Sequence, residues 1–302
     1  MGLQLDVITQ LLEALRQSNG AEVVLEQVRR LAVLEVSPPQ SSPGDHAHAE
    51  AQLGPAEWVA REGYAVFDRV AAESVTATLR RAALALVAAG LPAVFIFMLD
   101  EAWSLSHSLR ERLRASIAED YDLLDDGWAW AISPGVGRGW PPHRGGGLRL
   151  FTRRAPELVT VWVALGDVAA DQACMHAVPL DQDPGYPDQL ERLDAPLDAV
   201  RALPIPAGAA LVWNANLLHW GGGCSPRAAK PRVSCSFSFG RASARPALDL
   251  EVLEPTGLDP GRRLDMIANQ LAMYGAGQPD VAPELLRWAR ANRQLRDSFT
   301  RP

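Results

Sequence analysis

Residues 207–239 read AGAALVWNANLLHWGGGCSPRAAKPRVSCSFSF, and this stretch decides the fold class. It contains two apolar runs typical of short β-strands, Ala209–Trp213 and Val233–Phe239, which glycines and prolines separate. Five further runs of the same kind precede it: Trp128–Ile132, Leu148–Phe151, Val159–Leu165, Met175–Val178 and Val200–Leu203. So many short strands in one part of the chain favour a sandwich or barrel. We predict a mainly β fold with flanking helices, the double-stranded β-helix or jelly roll.

Apolar residues at helical spacing flank these strands on both sides. We predict helices at residues 3–17, 21–35, 261–274 and 283–295. Residues 37–55 are rich in Pro, Ser, Gly and His, a composition that buries too little apolar surface to order itself. The predicted organisation is a helical hairpin (1–36), a linker (37–55) and a jelly-roll domain with C-terminal helices (56–302).

The chain between the linker and the strand-rich part has no functional motif. Its pattern predicts a strand at Tyr64–Phe67, a helix through Leu79 to Ala89, a strand at 93–98 and a helix around Leu105 to Ala118. The apolar run 82–99 approaches the length of a membrane span. Gly90 and Pro92 divide this run into a helix end and a short strand, so we predict no transmembrane segment.

The formal charge narrows the classes of partner. The 302 residues include 29 Lys and Arg against 36 Asp and Glu, which gives a net charge of −7 at pH 7. A negative field repels nucleic-acid backbones and anionic membranes, so we expect neither as a partner.

Cys174, Cys224 and Cys235 form no C-x-x-C pair and indicate neither a disulfide framework nor a zinc site. Residues 1–17 lack the features of a signal peptide, and we predict a cytoplasmic protein.

Two of the six histidines have the surroundings of metal ligands. His143 follows Trp-Pro-Pro and precedes Arg-Gly-Gly-Gly, and His219 ends the run AALVWNANLLHW and precedes three glycines, so each imidazole has an open face. The other four have simpler interpretations in the linker, on a polar helix or in an apolar strand: His46, His48, His107 and His176. Two imidazoles at the mouth of a barrel suit iron(II), which needs open positions for oxygen and a cosubstrate.

Arg232 and Ser234 predict an anion site on the strand that follows His219. Side chains two residues apart share one face of a strand, so the hydroxyl lies beside the guanidinium. An arginine fork with a hydroxyl fits the distal carboxylate of 2-oxoglutarate through charge-assisted hydrogen bonds. An arginine in an ordinary ion pair at a strand end is the alternative.

Over about residues 63–241 the chain resembles the phytanoyl-CoA dioxygenase superfamily. The segment TVWVALGDVAADQACMHAVP (160–179) is similar to the central strand pair of that superfamily, and residues 207–239 are similar to its segment with the distal histidine and the arginine. The resemblance implies a cupin-like jelly roll with iron(II), 2-oxoglutarate and O2 as cofactors. The implied roles are iron ligand for His143 and His219, 2-oxoglutarate anchor for Arg232 and helper for Ser234.

The sequence departs from the superfamily at one iron ligand. The pattern His-x-Asp is replaced by His143-Arg144-Gly145, so the carboxylate is missing. This variant resembles the non-haem iron halogenases, in which a glycine or alanine leaves room for chloride on the iron. The implied function is halogenation of an unactivated sp3 carbon in a free-standing small molecule of natural product biosynthesis, with Gly145 as the vacant halide position.

Other interpretations of this departure stay open. Another carboxylate, such as Asp126 or Glu157, can complete the site and preserve hydroxylation of a secondary metabolite. Water in the gap would also leave a hydroxylase. A site that holds no iron would leave a non-catalytic jelly-roll binding protein.

Arginines close to the first predicted ligand indicate the charge of the substrate. Residues 127–156 contain no Asp or Glu, but they contain Arg138, Arg144, Arg149, Arg153 and Arg154. Arginine forks bind phosphates and carboxylates, so the last three arginines predict an anionic small molecule, with a nucleotide as the first choice. A solvated basic loop is the alternative, and indole-alkaloid or amino-acid substrates stay open.

Three further features have alternative interpretations. An aromatic wall at the site, or an ordinary core, is predicted for Trp128, Trp130, Trp140 and Trp220. Residues 37–55 or 144–154 are candidates for a lid that excludes water. The N-terminal hairpin packs on the barrel or joins a second copy of the chain in an oligomer.

Overall fold

A computed structural model describes residues 2–17, 19–33, 53–137, 139–145, 156–243, 250–278 and 280–292. In these ranges the strands are β1 (Tyr64–Phe67), β2 (Tyr121–Ile132), β3 (Leu158–Ala164), β4 (Met175–Val178), β5 (Arg201–Leu203), β6 (Ala210–Asn214), β7 (Leu218–Gly221) and β8 (Arg232–Arg241). The helices are α1 (Gly2–Ala14), α2 (Gly20–Val33), α3 (Pro55–Arg61), α4 (Glu73–Ala88), α5 (Asp100–Ser116), α6 (Pro260–Tyr274) and α7 (Pro283–Asn292). Short 3-10 helices lie at Ala93–Met98, Leu197–Ala199 and Gly275–Gly277.

The strands form two antiparallel sheets. The larger sheet has the order β1-β6-β3-β8-β2, and the smaller sheet has the order β5-β4-β7. Strands that are distant in sequence are therefore neighbours in space, as the long connections of a jelly roll require. The predicted mainly β jelly roll with helices at both ends is confirmed.

The two faces of the larger sheet have different partners. On β8, Val233, Cys235, Phe237 and Phe239 belong to the main hydrophobic core, which also contains residues of α4, α5 and α6. Arg232 and the serines at 234, 236 and 238 alternate with them and lie on the opposite face. These polar side chains are buried too, beside an apolar cluster that includes Trp162, Leu211 and Trp213, so the second face combines apolar packing with buried polar groups that need partners.

The predicted strand at 93–98 is wrong. Ala93–Met98 is a fully buried 3-10 helix, and the ring centroid of Phe97 lies 5.3 Å from that of Phe237 on the larger sheet. An apolar run that is buried on every side has no periodicity, so its sequence does not separate a strand from a buried helical segment. The packing between α4, α5 and the sheet selects the helical form.

The other predicted elements agree with the structure within a few residues, with three exceptions. The strand predicted at 128–132 begins earlier, at Tyr121. The run that contains His219 is divided into β6 and β7 by a turn, in which the backbone N–H of Leu217 donates to the carbonyl oxygen of Asn214. The predicted strand at 148–151 and most of the predicted linker lie outside the described residues.

The N-terminal hairpin packs on the rest of the chain. Val24, Leu25 and Val28 of α2 are buried in the main core, where α2 contacts α4 and α6. This apolar stripe is thus satisfied within the chain, and the oligomer through the hairpin stays a prediction. In the described ranges, no helix has both the length and the apolar character that crossing a bilayer requires.

Candidate active site

The two histidines predicted to bind iron are neighbours in the structure. Residue 143 forms an isolated antiparallel bridge to β7, in which the backbone N–H of each histidine donates to the carbonyl oxygen of the other, at 3.0 and 3.1 Å. The imidazole centroids of His143 and His219 lie 4.3 Å apart. A strand pairing thus brings together two residues that are far apart in sequence.

Backbone carbonyls orient both imidazole rings. Nδ1 of His143 donates to the carbonyl oxygen of Pro141 at 2.7 Å, and Nδ1 of His219 donates to that of Leu217 at 2.9 Å. A carbonyl only accepts, so Nδ1 carries the proton and Nε2 is the nitrogen that would bind a metal. This is the outer hydrogen bond that orients metal-binding histidines in proteins.

The charge state of His219 also suits a metal ligand. Burial, together with the neighbouring His143, holds the pKa of His219 well below its ordinary value. The ring is therefore neutral at physiological pH, and neutral imidazole is the form that binds metal ions.

Arg232 is a buried cation that has no acidic partner in the described part of the chain. Its side chain is 1% exposed, and one terminal nitrogen donates to the carbonyl oxygen of Ala173 at 2.7 Å. The guanidinium carbon lies 5.6 Å from the ring centroid of Trp130 and 5.4 Å from that of Trp162. Burial lowers the pKa of Arg232 from its ordinary value to about 10, a cost to the charged form on the order of 3 kcal/mol. The alternative interpretation, an ion pair at the surface, does not agree with this burial.

Unsatisfied donors surround this guanidinium. Four buried polar atoms have no hydrogen-bond partner: Nε of Arg232, Oγ of Ser234 and the indole nitrogens of Trp130 and Trp162. Buried donors are normally satisfied, so a cluster of unsatisfied donors indicates a ligand with acceptor oxygens. A carboxylate supplies such oxygens, and the residues therefore fit one carboxylate of 2-oxoglutarate.

One cavity joins the histidine pair to Arg232. It lies between the two sheets, and its lining includes Trp128, Trp130, Trp140, Trp162, Trp213, Met175 and Tyr274. Three of the four predicted wall tryptophans are thus at the site. Trp220 is not, because it alternates with His219 on β7 and stacks on His176 on the outer face of the smaller sheet.

Sequence reasoning missed several lining residues, among them Trp162, Trp213, Met175 and Tyr274. A signal for the cavity face was available in RVSCSFSF (232–239), where a polar residue recurs at every second position of an apolar strand.

Gly145 lines the same cavity, and the backbone packs tightly against it. Its N–H donates to the carbonyl oxygen of Ala215, and a Cβ added at position 145 would lie 2.8 Å from that oxygen. Close packing against Ala215 is therefore one reason why position 145 has no side chain. The predicted open position for a halide on the iron is a second reason.

Neither of the two carboxylates considered as replacements for the missing iron ligand joins the histidine pair. Asp126 lines the cavity, but Ser238 and Tyr274 hold its two oxygens by hydrogen bonds, each of 2.6 Å. Glu157 precedes β3 and is not a lining residue. Among the described residues, no third His, Cys, Asp or Glu joins the histidine pair in a metal-binding group.

Arg144, which belongs to the arginine-rich segment but not to the three arginines predicted to bind the substrate, has a structural role. Its guanidinium forms a buried ion pair with Asp183, with side chains 3% and 0% exposed, and also donates to the carbonyl oxygen of Arg192 at 2.7 Å. The pair fixes the segment between His143 and Gly145. Arg138, Arg149, Arg153 and Arg154 lie outside the described residues.

We expect Asp183→Asn to destabilise the fold by about 3–5 kcal/mol, because it leaves the buried Arg144 guanidinium without a counter-charge. Urea denaturation measures the change. Asp194→Asn is the control, because Asp194 forms an exposed pair with Arg192, and we expect less than about 1 kcal/mol there. Equal effects in the two variants would contradict a structural role of the buried pair.

Comparisons with known proteins agree with this architecture. The phytanoyl-CoA dioxygenase (PhyH) family model matches residues 124–229. The matched segment includes His143 and His219 and ends shortly before Arg232. A comparison with curated protein sequences gives no match.

Three solved structures are similar to the chain at low sequence identity. The nickel complex of the monooxygenase ThoJ has 14% identity and a TM-score of 0.50, over 78% of this chain and 99% of that chain. The α-ketoglutarate-dependent epimerase SnoN from nogalamycin biosynthesis has 19% identity and a TM-score of 0.44, over 68% and 91%. HygX from Streptomyces hygroscopicus, with nickel and 2-oxoglutarate bound, has 15% identity and a TM-score of 0.48, over 62% and 86%.

Proposed function

We propose that this protein is a non-haem iron(II), 2-oxoglutarate-dependent enzyme that halogenates a small molecule. One observation carries the cofactor assignment: the oriented imidazoles of His143 and His219 share a cavity with the buried guanidinium of Arg232, which has no acidic partner among the described residues. The matched family model and the fold of the structural neighbours support the same class of enzyme.

Each residue has a defined task in this proposal. Nε2 of His143 and Nε2 of His219 would hold the iron, and their backbone hydrogen bonds keep the rings in place. Arg232 would bind the distal carboxylate of 2-oxoglutarate, with the hydroxyl of Ser234 beside it. The carboxylate would satisfy donors that are otherwise buried without partners, and the tryptophans around them exclude water.

The halogenase assignment depends on Gly145. When bound, iron(II) with 2-oxoglutarate and O2 supplies the oxidising power to remove a hydrogen atom from an unactivated carbon, and chloride at the open position supplies its replacement. Gly145 offers no carboxylate to occupy that position, and the described residues offer no other acidic ligand. A hydroxylase, with water in the gap, is the second candidate, because Gly145 is also required by packing against Ala215.

The substrate in this proposal is a free-standing small molecule that enters the aromatic cavity. The anionic substrate, with a nucleotide as the first choice, stays a prediction from Arg149, Arg153 and Arg154, which are not among the described residues. The part of the segment that the structure describes gives it no support, because Arg144 is neutralised by Asp183.

Metal binding tests the cofactor assignment. We expect the wild-type protein to bind one divalent ion by calorimetry, and we expect His143→Ala and His219→Ala each to weaken that binding by about 100-fold or more, since each removes a ligand. His176→Ala is the matched control, because His176 stacks on Trp220 outside the cavity. Unchanged metal binding in either of the first two variants would overturn the assignment.

A further inference from the structure

The end of the cavity beyond the histidine pair contains a carboxylate with unusual support. Asp126 is half-buried, and it accepts a hydrogen bond from Oη of Tyr274 at one oxygen and from Oγ of Ser238 at the other. Both hydroxyl groups donate, and the two carboxylate oxygens accept. Each carboxylate oxygen has a second acceptor site, so the group can accept a further hydrogen bond from a ligand.

The local fold holds Asp126 at the cavity. The pairing of β2 with β8 is irregular between Leu123 and Gly127, where the chain bulges. Gln270 of α6 binds this bulge, because its amide nitrogen donates to the carbonyl oxygen of Asp125 at 2.8 Å. Bulges redirect side chains at functional sites, and here the carboxylate becomes part of the cavity lining.

An aromatic wall connects the carboxylate to the proposed metal ligands. The ring centroid of Trp140 lies 5.6 Å from that of His143 and 5.0 Å from that of Tyr274, and Trp128 lies 5.9 Å from Tyr274. Aromatic faces attract cations and also stack on apolar or planar groups. A molecule that follows this wall from the metal site reaches Asp126.

Among the described residues that line the cavity, none supplies a positive charge that compensates Asp126 under the proposed function. The described lining contains three permanent or titratable side-chain charges outside the histidine pair: Asp126, Arg144 and Arg232. Asp183 neutralises Arg144, and under the proposed function 2-oxoglutarate neutralises Arg232. No Lys, Arg or His in the described ranges forms an ion pair with Asp126, whose hydrogen bonds are to the two hydroxyls.

We infer that the substrate carries a protonated amine, which Asp126 binds, and an apolar or aromatic framework, which lies on the Trp140 and Tyr274 wall. This inference rests on the proposed function for the position of the reacting carbon, but the amine site itself needs no metal. The ammonium would complete the acceptor sites of Asp126 and face the rings. The inferred substrate is therefore a cation, whereas the arginine-rich segment predicts an anionic substrate.

Binding of three matched probes tests the inference. Phenylbutylamine, phenylbutanol and phenylbutyrate share one apolar framework and differ in charge. Saturation-transfer NMR or calorimetry measures their affinity for the full-length protein in saturating 2-oxoglutarate, which occupies Arg232 under the proposed function and keeps it from binding the carboxylate probe. We expect the amine to bind about tenfold more tightly than the alcohol, and the carboxylate to bind weakest, because the cavity supplies one uncompensated anion. Equal binding of the three probes, or preference for the carboxylate, would overturn the inference.

Two variants locate the preference. Asp126→Asn preserves the shape and keeps one acceptor oxygen, and we expect it to remove the preference for the amine. Asp122→Asn is the control, because Asp122 lies on the same strand but pairs with Arg114. A preference that survives Asp126→Asn would place the amine elsewhere and reject the site.

Metal and 2-oxoglutarate binding separate this inference from the proposed function. If both bind to the wild-type protein but the amine shows no preference, only the amine site is wrong. If the amine preference is present but neither metal nor 2-oxoglutarate binds, the proposed function fails and the amine site stands.

Discussion

Arg232→Met is expected to remove most of the stabilisation of the protein by 2-oxoglutarate while leaving the ligand-free fold at least as stable as the wild type. Removing one partner of a buried, hydrogen-bonded charge pair costs about 2–5 kcal/mol, which corresponds to roughly 30-fold to several-thousand-fold weaker binding. The wild-type protein at 100 times the dissociation constant should gain about 2.7 kcal/mol from the ligand, and the variant at the same ligand concentration should gain less than about 1 kcal/mol.

The second measurement in this experiment is the stability of the wild type and of Arg232→Met without 2-oxoglutarate. Burial holds the pKa of Arg232 at about 10, below its ordinary value, and among the described residues this cation has no acidic partner at neutral pH. A folded-state pKa below the unfolded value means that the folded state binds the proton less well. Stability is therefore lost as the pH falls from the ordinary pKa of arginine through about 10, and the full cost applies at every lower pH. Methionine fills the space without charge, and we expect a gain of about 1–3 kcal/mol without ligand.

A control variant for Arg232→Met lies on the same strand. Arg241→Met removes an arginine at the other end of β8, where it pairs with Asp120 at the surface. We expect this variant to keep the full response to 2-oxoglutarate. If Arg232→Met loses stability in the ligand-free state and keeps the 2-oxoglutarate response, the guanidinium serves the fold and binds no cosubstrate.

Gly145→Asp is expected to abolish chlorination. In the proposed site the new carboxylate would occupy the position of the halide, and turnover of 2-oxoglutarate to succinate would no longer require chloride. We expect wild-type succinate formation in a metabolite extract to depend on chloride and the variant to lose this dependence. Mass spectrometry measures the product, because chlorinated compounds show paired isotope masses and hydroxylated compounds do not.

Gly145→Ala separates the ligand effect from the packing effect. Any Cβ at this position meets the carbonyl oxygen of Ala215 at 2.8 Å, so both variants must shift the backbone and both should lose some stability. Alanine adds no carboxylate, and we expect the variant to keep the chloride dependence at reduced activity. Chlorinated product at the wild-type level from Gly145→Asp would reject the halide position, as would equal loss of chlorination in both variants.

The many short apolar runs in the sequence were sufficient to predict the fold class. Alternating or continuous apolar runs of four to seven residues, bounded by glycine and proline, indicated β-strands between 127 and 239, and β4 has the predicted bounds. The run 93–98 could not be resolved in this way, because a segment that is buried on all sides has the same composition as a 3-10 helix or as a strand. Local composition predicts burial, and the neighbours decide the backbone conformation.

The identity of the candidate site residues was also available from the sequence. Histidines beside glycine-rich turns, and an arginine in an apolar strand, have few purely structural interpretations, and the departure at Gly145 is visible only as a sequence pattern. Arg144 had no such signal. Its sequence neighbours are His143 and Gly145, and the acid that neutralises it, Asp183, lies 39 residues later in the chain.

The sequence by itself determined the jelly-roll class, the pair of imidazoles and the missing carboxylate, because these depend on residue type and on short-range periodicity. Only the tertiary structure decided which charges are compensated. It pairs Arg144 with Asp183, leaves Arg232 among unsatisfied donors and places Asp126 at the far end of an aromatic wall. Charge compensation is a property of contacts across sheets and loops, where residues distant in sequence share a low-dielectric space, and no local pattern encodes it.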